Sequence, residues 1–166
     1  LVLVDGAAAL PIATRLEQVI AAKKTWRESH SALFGNPTLP ESSPKVRLTT
    51  SAGAMVLQLA AERAPKHCAN FLKLCSEGYY IGTKFHRVAP QMMIQGGDPN
   101  SREGAVETWG LGGPTDKLEP ESSGLFHFPF VLSTAKSEGD PMESGSQFFI
   151  TVANAHHLDG MHSVFG

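Results

Sequence analysis

The spacing of apolar residues changes several times along the chain, and each change marks a candidate element. From Ala7 to about Lys24, Leu10, Ala13, Leu16, Val19 and Ile20 recur at three- and four-residue intervals, which predicts an amphipathic helix. Pro11 falls in its first turn, where a missing N–H is tolerated. Ahead of it Leu1-Val-Leu-Val4 is strand-like and Asp5-Gly6 closes it as a turn. Residues 35–45 (GNPTLPESSPK) carry no period and read as a linker. At Val46 the rhythm switches to two: Val46–Thr50 and Ala54–Leu59 alternate around Ser51-Ala-Gly53, a hairpin signal. Ala64-Pro65 opens a second helix that runs to about Ser76, with Cys68, Phe71, Leu72 and Cys75 apolar and Gly78 as its stop. Short apolar runs then alternate with turns at Lys84–Val88, Met92–Gln95, Phe130–Ser133, Gln147–Val152 and His162–Phe165. Many short strands with two helices predict a mainly β fold, a closed antiparallel barrel capped by two α-helices.

Composition narrows the class of function. The 166 residues suffice for one domain, and 16 Gly with 11 Pro suit a turn-rich fold. A net charge of −2 gives no reason to expect nucleic acid or an anionic membrane as a partner. No apolar run approaches the roughly 18 residues of a membrane helix. Cys68 and Cys75 lie about two helical turns apart, beyond disulfide reach, and read as half-buried free thiols. That favours a reducing compartment, cytoplasmic or nuclear, only weakly. The apolar start, Leu1–Ala13, lacks a basic n-region and is interrupted by Asp5, so it makes a poor signal peptide.

Four segments then stand in order: Ala64-Pro65 with Asn70-Phe71; Phe85-His-Arg-Val88 followed by Met93-Ile-Gln-Gly-Gly-Asp98; Gly145-Ser-Gln-Phe-Phe-Ile150; and Leu158-Asp-Gly-Met-His-Ser-Val-Phe-Gly166. Over Val46–Gly166 the chain resembles the cyclophilins. The resemblance implies a barrel of about eight strands. It also implies peptidyl-prolyl cis-trans isomerisation of X-Pro bonds in protein substrates, without metal or cofactor. The chemistry agrees with these residue types. An amide resists rotation by roughly 18–20 kcal/mol through conjugation of its nitrogen lone pair. A catalyst therefore needs a pocket for the proline ring and a donor for the nitrogen whose lone pair localises in the twisted state.

The resemblance gives Arg87 the donor role, and a rigid, permanently charged guanidinium suits it. Gln95 orients the arginine and touches substrate. Met93, Phe149 and Leu158 line the proline pocket, His162 stands at its wall, and Ala135 lies beside the substrate backbone. Met92, Lys136, Gln147 and His157 complete the substrate-binding set, while His86 stays outside it as structural. Met92 replaces the usual phenylalanine and Lys136 the common asparagine. His157 stands where many members have tryptophan, so cyclosporin A is expected to bind with reduced affinity. The partners implied are proline-containing peptides and proteins.

Other chemistries find less support. His156, His157 and His162 with His86 lack a Cys or carboxylate at ligand spacing, so no metal is expected. Gly110-Leu-Gly-Gly113 lacks the Lys-Ser/Thr of a phosphate loop. No Ser/His/Asp arrangement is discernible in the sequence.

The ends depart from the family. Phe165-Gly166 stops within a barrel strand, and residues 1–34, a strand plus a helix, look like the displaced continuation. Residues 35–45 then form the linker and 46–166 the cyclophilin-like domain. A circular permutation, an unrelated extension on a truncated domain, and exchange of the segment between chains all account for this. A different functional class also stays open, a proline-peptide docking module in a larger assembly with weak catalysis.

Overall fold

The computed structural model describes residues 35–166 and, ahead of them, only Ala21, which is helical. The chain divides into two units, Leu1–Pro37 and Thr38–Gly166. The expected strand Leu1–Val4, the helix Ala7–Lys24 apart from Ala21, and any barrel-completing role of residues 1–34 lie outside the described residues.

The expected hairpin forms β1 (Lys45–Thr50) and β2 (Gly53–Gln58), paired antiparallel from Lys45↔Gln58 to Thr50↔Gly53. Gly53, at φ +129°, adopts a backbone that only glycine takes readily, so the chain reverses within two residues. Helix α1 (Pro65–Ser76) starts at its proline, as expected. Its N-cap, Ala64, offers no side-chain acceptor. The Glu121 carboxylate takes that place from another segment, accepting from the backbone N–H of Lys66 (3.1 Å) and His67 (2.9 Å). A carboxylate also suits the positive end of the helix. At the other end Gly78 (φ +70°) lets its own N–H reach Cys75 O and the Tyr79 N–H reach Leu74 O, which satisfies the last carbonyls.

The remaining strands are β3 (Arg87–Ala89), β4 (Met93–Gly96), β5 (Leu132–Thr134) and β6 (Phe148–Thr151). They make an antiparallel sheet in the order β3-β4-β6-β5. Among the described residues the strands thus form sheets of two and four beside α1, and no closed barrel of about eight strands is seen; the other expected helix, Ala7–Lys24, lies outside them apart from Ala21. The expected strand His162–Phe165 is reduced to a single bridge, Ser133↔Val164. That segment still joins the sheets. Leu132 N–H donates to Gly166 O (2.8 Å), Phe165 N–H to Leu132 O (2.9 Å) and Ala60 N–H to Phe165 O (2.8 Å). Among the described residues the opposite side is open, because β1 and β3 are both edge strands there. A groove of about 840 Å³ lies along β1, lined also by Phe71, Tyr80, Phe85 and Phe148.

Alternation along β4 and β6 sorts side chains onto two faces. Phe148, Ile150, Leu132 and Ile94 join Leu59, Phe71 and Phe165 in the main core. Phe71 meets Phe148 edge-on at 5.5 Å and Phe165 at the same separation, geometry that aromatic quadrupoles favour. Met93 and Phe149 point the other way and build a separate cluster.

A buried charge network fastens α1 to the loops below it. His67, 1% exposed, places Nδ1 2.6 Å from Glu121 Oε2 and Nε2 2.7 Å from Glu143 Oε2. Glu143 is fully buried, and its Oε1 accepts the Ser163 N–H at 2.7 Å. Burial pulls the His67 value down, but hydrogen bonds and charge from Glu143 and Glu121 outweigh it and the net direction is up. For Glu143 burial pushes upward, yet His67 and Ser163 hold the carboxyl below its ordinary range. His67 is therefore an imidazolium between two carboxylates.

Candidate active site

Strand register sets the site. Arg87 pairs with Gln95, Gln95 with Phe149 and Phe149 with Ser133, so four residues from four strands form one row across the sheet. Side chains in such a row share a face. Arg87, at the exposed edge, reaches Gln95 Oε1 through Nη1 at 3.5 Å. Gln95 Nε2 donates to Gln147 Oε1 at 3.0 Å. Gln147 Nε2 in turn donates to Gly110 O (2.9 Å) and Gly112 O (2.7 Å). One relay of amides thus ties the guanidinium to the glycine-rich loop.

Beside the relay, Met93, Ala135 and Phe149 are buried together, with Met92, Leu158 and Ala89 packed against them. His162 meets Phe149 edge-on at 5.4 Å and a 90° interplanar angle. Burial lowers the His162 value more than the Thr134 carbonyl raises it, so the ring is neutral. A carbonyl can only accept, so Nδ1 carries the proton, which it donates to Thr134 O at 2.9 Å. Of the expected site residues, Met92, Met93, Ala135, Phe149, Leu158 and His162 therefore meet in one apolar wall. Arg87, Gln95 and Gln147 form the polar relay. Lys136 lines a cleft of about 570 Å³ with Arg87, Gln95, Trp109 and Gln147. Lys117 and Asp140, paired with each other, line the same cleft. His157 is exposed on the 3₁₀ turn His156–Leu158.

Glycine is needed where the Gln95 motif turns away from the sheet. Gly97 has φ +85°, and a Cβ there would lie 2.4 Å from Ser146 O. Any side chain would push the Ser146–Gln147 backbone, and with it the relay.

The structure corrects one reading of the sequence. A Ser/His/Asp alignment is present: His127 Nδ1 lies 2.8 Å from Asp159 Oδ1 and His127 Nε2 2.9 Å from Ser133 Oγ. Positions 127, 133 and 159 share no motif, and only the folding of β5 against the 159 turn brings them together. Ser133 and His127 are fully buried, so the hydroxyl has no access to a substrate carbonyl. Among the described residues no group of three or more His, Cys, Asp or Glu side chains could hold a metal ion. Cys68 and Cys75 are both free, and burial pushes the Cys68 thiol up to about 12.

Comparison with known proteins gives the family. Residues 45–166 match the family model described as cyclophilin type peptidyl-prolyl cis-trans isomerase/CLD. Peptidyl-prolyl cis-trans isomerase-like 1 of Mus musculus is 43% identical over 124 residues, 74% of this chain and 72% of that protein. The spliceosome-associated protein CWC27 homolog of Xenopus laevis is 40% identical over 130 residues, covering 76% of this chain but 26% of that protein. A Cryptosporidium parvum cyclophilin type isomerase, crystallised in the presence of the dipeptide Ala-Pro, superposes with a TM-score of 0.66. It is 34% identical, over 74% of this chain and 77% of its own. A mainly β fold, the shared motifs and these matches together place the chain in the cyclophilin family of peptidyl-prolyl cis-trans isomerases.

Proposed function

We propose that the chain catalyses rotation of X-Pro peptide bonds in protein substrates. One observation carries the reading: the Arg87–Gln95–Phe149 row sets a permanent cation, through an amide relay, beside the apolar wall of Met92, Met93, Phe149 and Leu158. The proline ring rests against Met92, Met93, Phe149 and Leu158, with His162 and Ala135 bounding it. As the amide twists, its nitrogen lone pair localises and accepts from the Arg87 guanidinium, held in line by Gln95. Stabilisation present only in the twisted state raises turnover and not ground-state affinity alone. Gln147, at the far end of the relay, and Lys136, on the cleft that the relay borders, receive the residues ahead of the proline.

The test is NMR exchange spectroscopy on a short Ala-Pro peptide with substoichiometric protein. Cis-trans exchange, tens of seconds or slower when uncatalysed, should become fast enough to give exchange cross-peaks. A folded protein that leaves the exchange rate unchanged would reject catalysis. The same titration separates the second reading, a proline-peptide docking module, which the name of the spliceosome-associated relative favours. Docking alone shifts peptide resonances without accelerating exchange.

Cyclosporin A offers an independent check. His157 is exposed and presents a smaller ring than an indole, so affinity should be modest. His157→Trp should tighten the dissociation constant by about tenfold, the effect of one buried aromatic face with its N–H donor. An unchanged or weaker constant in that variant rejects the role given to position 157.

A further inference from the structure

The wall that carries Phe149 and His162 has its own support. Behind them lies His127, fully buried, its ring stacked on Phe149 at a centroid separation of 5.7 Å and an interplanar angle of 12°. The same ring meets His162 edge-on at 6.4 Å. Three rings thus lock pairwise, since Phe149 and His162 also touch each other.

His127 is held on both sides. Asp159 Oδ1 accepts from its backbone N–H (2.7 Å) and lies 2.8 Å from Nδ1. Beside a carboxylate the Nδ1 position carries the proton, and burial, outweighing Asp159, keeps the imidazole neutral. Nε2 is then an acceptor and lies 2.9 Å from the Ser133 hydroxyl, whose one proton also has the Ser163 carbonyl within reach at 3.1 Å. Ser133 stands in the same register row as Arg87, Gln95 and Phe149. Asp159 directly follows Leu158 of the apolar wall, and its Oδ2 accepts from His156 Nδ1 at 2.9 Å. One side chain therefore joins β5, the turn after Leu158, and two wall rings from behind.

We propose that His127 is a positioning residue of the proline pocket, a flat backing on which Phe149 and His162 rest, clamped in plane by Asp159 and Ser133. It touches no substrate and acts through those two rings. The inference deepens the isomerase reading and rests on it for the meaning of the pocket, but the backing itself can be measured without turnover.

The experiment compares His127→Thr with His127→Phe in the full chain. Both lose the two side-chain hydrogen bonds, so a merely structural role lowers the melting temperature of both and separates them in nothing else. Only phenylalanine restores a flat ring behind Phe149. Ala-Pro peptide affinity and kcat/KM should fall at least about tenfold in His127→Thr and stay within about threefold of native in His127→Phe. The aromatic proton shifts of Phe149 and His162 should move in the threonine variant and hold in the phenylalanine one. Equal losses in both variants, or native shifts and affinity in His127→Thr, would overturn the proposal. If the native chain neither turns over nor binds the peptide, the isomerase reading fails. The Phe149 and His162 shifts still decide whether His127 sets the wall.

Discussion

A Glu143→Ala variant is expected to lose about 3–5 kcal/mol of folding stability, the cost of removing one partner from a buried ion pair. The side chain is fully buried and joins two segments, His67 on α1 and the backbone of Ser163 near the chain end. Its removal leaves His67 with Glu121 alone and strands a buried N–H, while the methyl group fills little of the vacated space. Urea titration of native and variant proteins reads the difference as a lower midpoint at similar slope. A loss under about 1 kcal/mol would show that the network is electrostatically neutral to the fold.

The same network fixes a pH signature. His67 is shifted up, so its contribution is complete below its ordinary value of 6.5 and is lost as pH rises through the higher folded value. Glu143 is shifted down, so its contribution is complete above its ordinary value of 4.5 and is lost as pH falls through the lower folded value. The stability gap between native and Glu143→Ala should therefore be widest between pH 4.5 and 6.5 and narrow on either side. A gap that widens steadily towards alkaline pH would contradict a charged His67.

Arg87→Ala should lower kcat/KM for an Ala-Pro peptide by at least about tenfold, or 1.4 kcal/mol of transition-state stabilisation. Arg87 lies exposed on an edge strand with one long contact to Gln95, so the fold should survive the substitution. Arg87→Lys keeps the charge but loses the fork of N–H groups proposed to meet Gln95 and the substrate together, and should recover only part of the activity. Native turnover in a folded Arg87→Ala protein would remove the guanidinium from the mechanism. Unchanged peptide affinity with depressed turnover would assign it to the twisted state alone.

Much of this site could be read from the sequence, because its parts lie in short motifs whose local pattern also sets their direction. In Gln147-Phe-Phe-Ile-Thr151 the period of two already separates a core face from a site face, and β6 keeps it. Pro65 and Gly78 mark the ends of α1 through backbone preferences that need no tertiary information. What escaped the sequence was long-range pairing. Glu121 caps a helix that starts more than fifty residues earlier, and Glu143 neutralises a histidine on that same helix. Neither carboxylate differs locally from a solvated loop residue. The Ser133–His127–Asp159 chain was hidden for the same reason.

The back-to-back placement of Phe148 and Phe149 on β6 has a consequence for redesign. Each residue on this strand serves one compartment, and its immediate neighbour serves the other. An insertion or a one-residue slip would exchange the two sets at once, putting Gln147 and Thr151 into the hydrophobic interior. Changes of substrate preference made on the strand are thus coupled to folding yield, and their effects will not add. Lys117, Lys136 and Asp140 line the neighbouring cleft from loops and belong to none of the buried apolar clusters. On the proposed function, selectivity for residues flanking the proline can be varied there while the interior stays as it is.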